Sequence, residues 1–150
     1  MVNFIHGNDI ILSMSDFDLL QDSGPSYVSL VILVNLDGFA VRRKVVVALC
    51  KLMDFLCMLR NYIQKIDSYV NFGDDDLLVN IRIKRVSKGE EVTILLNNEM
   101  CSPFEITTSV KYMTQLCQLE KTYDDLFTEM ELLGLNGDGC VSGHNRAILL

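Results

Sequence analysis

From Tyr27 to Leu36 apolar residues fill both alternating faces, with Val28, Leu30, Ile32 and Val34 on one and Val31 and Leu33 on the other. Such a pattern predicts a strand covered on both sides, central in its sheet. Asp37-Gly38 supplies the positive φ angles of a two-residue turn, so Phe39 to Lys44 is expected to return antiparallel. Upstream, Phe4 to His6 and Asp9 to Met14 are short apolar runs around Gly7-Asn8, which predicts a small hairpin or a bulge. Ser15 to Pro25 is rich in Asp, Ser, Gly and Pro and reads as a connection.

The period then changes. Val45, Ala48, Leu49, Leu52, Met53, Leu56, Leu59, Ile63 and Ile66 recur at three and four, which predicts a helix from Val45 to Ile66. Phe55, Met58 and Tyr62 widen its apolar arc, so a second covering surface is expected besides one sheet face. Ser68 to Phe72, Leu77 to Val86 and Glu91 to Asn97 read as further antiparallel strands, separated by Gly73-Asp74 and Lys88-Gly89. In the middle one Val79, Ile81 and Ile83 alternate with Asn80, Arg82 and Lys84, a sheet with one wet, basic face. Phe104, Ile106 and Thr108 continue the alternation, and Ser109 offers a cap hydroxyl to a second helix. Met113, Leu116, Leu119, Tyr123, Leu126, Met130 and Leu133 carry that helix to Gly134. The expected fold is α+β: an antiparallel sheet of about six strands with two long amphipathic helices. It occupies residues 1–134 as a single domain, followed by a Gly-rich tail, 135–150, whose apolar end Ala147 to Leu150 is available for docking.

Composition narrows the function classes. At 150 residues, with 49% hydrophobic and 22% charged residues, the chain can bury a sizeable core. The net charge of −7 disfavours nucleic acid and anionic membranes and favours basic partners. The start of the chain lacks the basic flank and apolar stretch of an export signal, and no apolar run reaches the roughly 18 residues of a membrane span. A cytoplasmic setting follows as the expectation, in which the five cysteines, Cys50, Cys57, Cys101, Cys117 and Cys140, stay reduced. Those within the helices read as core thiols.

Catalytic and ligand motifs are weak. The two histidines, His6 and His144, lie beside no cysteine or carboxylate at a metal-ligand spacing. Asp74, Asp75 and Asp76 supply hard oxygen ligands but lack the alternating spacing of a calcium loop, so a solvated turn is the simpler reading. Asn136-Gly137-Asp138-Gly139 matches only a fragment of such a loop. No phosphate-cradling glycine motif occurs. Arg42, Arg43 and Lys44, and later Arg82, Lys84, Arg85 and Lys88, read as sheet-face and helix-start charges, since no aromatic residues interleave with them to stack bases. No enzyme, cofactor or metal is expected.

The strongest feature is the last helix, where Glu120, Asp124, Asp125, Glu129 and Glu131 surround a single Lys121. Carboxylates at 120 and 124, and at 125 and 129, stand one turn apart and repel, so they do not stabilise an isolated helix. Two readings stay open: an ordinary solvated face, or a stripe that steers a basic partner.

Several stretches carry a family likeness: Asn-Phe-Ile-His-Gly-Asn-Asp-Ile-Ile-Leu from residue 3, Val-Ser-Leu-Val-Ile-Leu-Val-Asn from residue 28, and Lys-Leu-Met-Asp-Phe-Leu-Cys-Met-Leu at 51–59. Asp-Leu-Leu-Val-Asn-Ile-Arg-Ile at 76–83, the Lys88-Gly89 turn and Phe104 to Thr108 leading to Tyr112-Met113 extend it. With this order of elements, the chain resembles the WapI-type immunity proteins of bacterial polymorphic toxin systems. The resemblance implies a stoichiometric inhibitor that binds a cognate toxin domain, commonly a nuclease with a basic substrate surface, and blocks it without chemistry. Asp74, Asp75, Asp76, Glu120, Asp124, Asp125 and Glu129 are the expected contact residues. An acidic, dimeric secretion or folding chaperone, associating through the broad first helix, is the alternative.

Overall fold

A computed structural model of the protein describes residues 1–20, 26–74, 78–97 and 107–134. The chain runs β1 (Val2–His6), β2 (Asp9–Leu20), β3 (Tyr27–Leu36), β4 (Phe39–Ala48), α1 (Leu49–Ile63), β5 (Tyr69–Gly73), β6 (Val79–Val86), β7 (Gly89–Asn97), β8 (Thr107–Thr114) and α2 (Leu116–Leu132). The fold is α+β, but the single sheet of about six strands is corrected. Two four-stranded antiparallel sheets form, β1-β2-β3-β4 and β5-β6-β7-β8, each pairing only strands adjacent in sequence. α1 separates the two meanders, so the fifth strand starts a new sheet instead of extending the first.

Each sheet turns one apolar face inward. In the first sheet Leu30 faces Val45 and Val28 faces Val47 across the β3–β4 ladder, and all four are buried. In the second, Ile81 lies between Phe72 and Ile94 in one row, and Ile83 between Val70 and Val92 in the next. Asp37-Gly38 makes the two-residue β3–β4 turn, but only Gly38 takes a positive φ, 71°; Asp37 does not, so the pair does not form the turn with two positive φ angles that the sequence predicts.

Three boundaries move for physical reasons. Ser15 to Leu20 is strand and not connection, because the polar stretch is absorbed by a β-bulge. The register advances three residues on β2, from Ser15 to Asp18, against two on β3, from Val31 to Ser29. Asp16 adopts φ 55° within it, a left-handed conformation that Asp tolerates. Val45 to Ala48 complete β4, since a β-branched run with Val45 and Val47 inward satisfies the sheet before the helix starts. Ser109 does not cap α2. The alternation instead runs on as β8 through Val110 and Tyr112 to Thr114, and the helix starts after Gln115, in a reciprocal capping box with Gln118. Phe104, Ile106 and the tail lie outside the described residues.

The wide apolar arc of α1 is filled within the chain, as its pattern predicted. Leu49, Leu52, Met53, Phe55, Leu56, Leu59 and Tyr62 are all buried. The Phe55 ring lies between the two sheets, 6.4 Å from Phe4 of β1 and 4.5 Å from Phe72 of β5 between centroids. One cluster of buried residues therefore runs through both sheets and both helices.

The edge of β1 is closed by side chains from the far end of the sequence. Thr122 Oγ1 donates to the Asn3 carbonyl (2.6 Å), Thr114 Oγ1 to that of Ile5 (2.8 Å), and Gln118 Nε2 to that of Gly7 (3.1 Å). These alternate carbonyls point out of the ladder, and an open edge would leave them as a template for foreign strands. His6 Nδ1 lies 2.6 Å from the Met113 carbonyl; a carbonyl only accepts, so Nδ1 carries the proton.

Candidate functional site: an acidic cleft between the helices

The carboxylates of α2 do not form one stripe. Glu120 and Glu129 are nine residues apart, two and a half turns, so they occupy opposite flanks. The buried face between them is built from Leu119, Thr122, Leu126 and Met130. On one flank Asp125 pairs with Lys121 at 3.7 Å, and Glu129, with its side chain only 19% exposed, receives the amino group of Met1. Both are engaged within the chain.

On the other flank Glu120 and Asp124 are exposed and border a cleft of about 280 Å³. Arg60, Ile63 and Gln64 from the end of α1 form its opposite wall, and Tyr123 contributes from α2. Among the described residues none of Arg60, Glu120 and Asp124 makes an ion pair. The cleft thus holds two carboxylates against one guanidinium, a net negative charge in a concave setting. Burial raises the pKa of Tyr123, Arg60 opposes that shift, and Cys57 and Asp124 add to it, so its hydroxyl stays protonated as a wall of the cleft.

The structure places Asp74 in the fold and not on the surface. It is fully buried, its Oδ1 accepts the Val79 N–H at 2.8 Å, and its own N–H donates to the Val79 carbonyl at 3.3 Å. This carboxylate closes the β5–β6 connection. It also borders a second cleft, of about 280 Å³, with Lys51, Asp54, Asn71 and Asn80. Asp75 and Asp76 lie outside the described residues.

A partly buried polar knot joins the end of α1 to the β6–β7 hairpin. Arg85 Nε donates to Glu90 Oε1 at 2.9 Å, its Nη2 donates to the Tyr62 carbonyl at 3.0 Å, and its guanidinium lies 4.5 Å over the Tyr62 ring. The Tyr62 hydroxyl donates to the same Glu90 oxygen at 3.2 Å. Burial raises the Tyr62 pKa, the Glu90 charge adds to the shift and Arg85 offsets part of it. The knot is closed on itself and orients α1 on the second sheet.

The cysteines need a correction: Cys50 and Cys117 are exposed on their helices and Cys57 is half-buried, so none of the three is a core thiol. All three are free, and burial and the nearby Asp54 hold the Cys57 thiol in its protonated form. His6 sits edge-on to Tyr112, bound to the backbone. Among the described residues no three His, Cys, Asp or Glu side chains gather as a metal site, and no helix is long and apolar enough to cross a membrane.

Sequence reading found Glu120 and Asp124 but missed Arg60, Gln64 and Tyr123, which reach the cleft only through the packing of α1 on α2. Opposite charges on two helices sharing one core were the only available signal. No family model, curated protein or solved structure matches the chain.

Proposed function

We propose that the protein is a non-catalytic immunity protein that binds and neutralises a basic, nuclease-like toxin domain. The observation that carries this reading is the exposed Glu120–Asp124 pair, left without an ion-pair partner among the described residues on the rim of the α1–α2 cleft. Two carboxylates one turn apart repel each other, and an incoming Arg or Lys relieves that repulsion while gaining charge-assisted hydrogen bonds. A basic surface is steered toward a chain of net charge −7, and competition for the same cations displaces the toxin's nucleic acid. The chaperone alternative has less support, because the α1 face through which it would dimerise is filled from within the chain. Co-expression with the product of the gene immediately upstream tests the reading. Co-purification of a stoichiometric complex and loss of toxicity are expected; unchanged toxicity rejects it.

A further inference from the structure

The outer face of the second sheet has the opposite character. Its rows, read across the ladder, are Tyr69–Lys84–Glu91–Met113 and Asn71–Arg82–Thr93–Lys111. Lys84 and Lys111 both approach Glu91, at 3.6 and 3.8 Å, with their own side chains 56% and 61% exposed. One carboxylate therefore stands among three cations, on a chain whose total charge is −7.

Arg82 is the cation that Glu91 does not reach. Its Nε donates to Asn80 Oδ1 at 2.9 Å, and Asn80 Nδ2 donates in turn to Asn71 Oδ1 at 2.9 Å. Asn71 and Asn80 thus hold the guanidinium through one edge, and among the described residues its two terminal nitrogens have no partner. Gly73 makes room for this relay: a Cβ there would lie 3.2 Å from Asn80 Nδ2 and 3.4 Å from the Val79 carbonyl. An ordinary surface arginine samples many rotamers, and fixing one costs side-chain entropy. Here that cost is met before any ligand arrives, and the free edge presents the parallel donors that a carboxylate accepts in bidentate fashion.

We propose that this sheet face is a second docking surface, which takes an acidic segment of a protein partner by seating one carboxylate on Arg82, with Lys84 and Lys111 as flanking charges. A protein segment fits better than a nucleic acid. Tyr69 is the one aromatic side chain in the two rows, too few to stack successive bases, and a long polyanion would meet the repulsion of the whole chain. A short acidic segment gains its contacts within a Debye length of about 8–10 Å. The surface is independent of the α1–α2 cleft, so the two proposals stand or fall separately.

Fluorescence polarisation of a labelled Gly-Glu-Glu-Glu-Gly peptide, with a labelled ten-residue oligothymidylate beside it, decides the matter. The peptide is expected to saturate the intact protein, with affinity falling from about 0.01 to 0.15 M salt. Arg82→Gln is expected to weaken binding about tenfold, and Arg82→Lys nearly as much, because a point charge does not replace the fork. Asn80→Ala, which keeps every charge and removes the relay, should cost about three- to fivefold. Lys88→Gln and Glu120→Gln should change nothing. Circular dichroism of each variant checks that the fold is retained. The proposal is overturned by absence of saturable peptide binding, by binding that Arg82→Gln leaves intact, or by tighter binding of the oligonucleotide.

Discussion

Phe55 of α1 stacks on Phe72 of β5 with centroids 4.5 Å apart and planes inclined by 23°, and its plane lies within 7° of that of Phe4 at 6.4 Å. This contact fastens the helix between two sheets that share no ladder. Truncation opens a void at the meeting point of three elements, none of which can collapse alone. Phe55→Ala is expected to lower stability by about 3–5 kcal/mol, read from urea unfolding. A loss below about 1 kcal/mol would show that the sheets are held together elsewhere.

Asp74 and Glu120 are both acidic residues of the expected contact set, and the structure separates their roles. Asp74→Ala leaves the Val79 N–H without its carboxylate acceptor inside the fold. A cost of about 1–3 kcal/mol in thermal or denaturant unfolding is expected. In a variant that still folds, partner binding should be unaffected.

For the cleft the outcome is reversed. Glu120→Gln with Asp124→Asn should leave the unfolding midpoint within about 0.5 kcal/mol of wild type, since both residues are exposed. Association with the upstream gene's product should slow about tenfold at low salt and lose most of its salt dependence, as seen by stopped-flow mixing. An unchanged association rate would place the toxin contact elsewhere.

Tyr112 has a hydroxyl that is buried and, among the described residues, has no hydrogen-bond partner. Burial pushes its pKa above the ordinary tyrosine range. A raised folded-state pKa contributes stability that is complete below the unfolded value of about 10 and is lost as pH rises through the folded value. Stability should therefore fall above about pH 10, by up to 1.4 kcal/mol per pH unit for each such tyrosine. Tyr112→Phe should match or exceed wild type by about 1 kcal/mol at neutral pH and reduce the alkaline slope, measured by urea titrations from about pH 8 to 11.

Local chemistry was legible wherever a residue's own neighbours decided its state. The wet face carrying Arg82 and Lys84 and the β3–β4 hairpin stand as the alternation predicted, whereas β3 is fully covered on one face only, since Val31 is buried but Leu33 is exposed on the other, and the turn takes a positive φ at Gly38 and not at Asp37. Val45–Ala48 and Ser109–Met113 were assigned to the helices because helical spacing can be traced into either segment, while β-branched and aromatic residues satisfied a strand ladder first. The division into two sheets had no local signal, since a meander looks the same whether its fourth strand ends a sheet or continues it. The cleft was half legible. Glu120 and Asp124 stood out by spacing, and their separation from Glu129 follows from helix geometry, but Arg60 joins them only through contacts between distant segments.

The ties that seal β1 join residues 107 to 119 positions apart, whereas every ladder in either sheet joins neighbours in sequence. Each meander can zip up from its own hairpins, but the first strand's outer rim waits for the final helix. Closure of that rim is a non-local step of assembly, and the entropy of closing so long a loop disfavours it early. Until then the amino-terminal sheet presents a bare backbone edge, and the stretch from Thr114 to Thr122 serves as its built-in chaperone, satisfying the rim before a stranger's strand can.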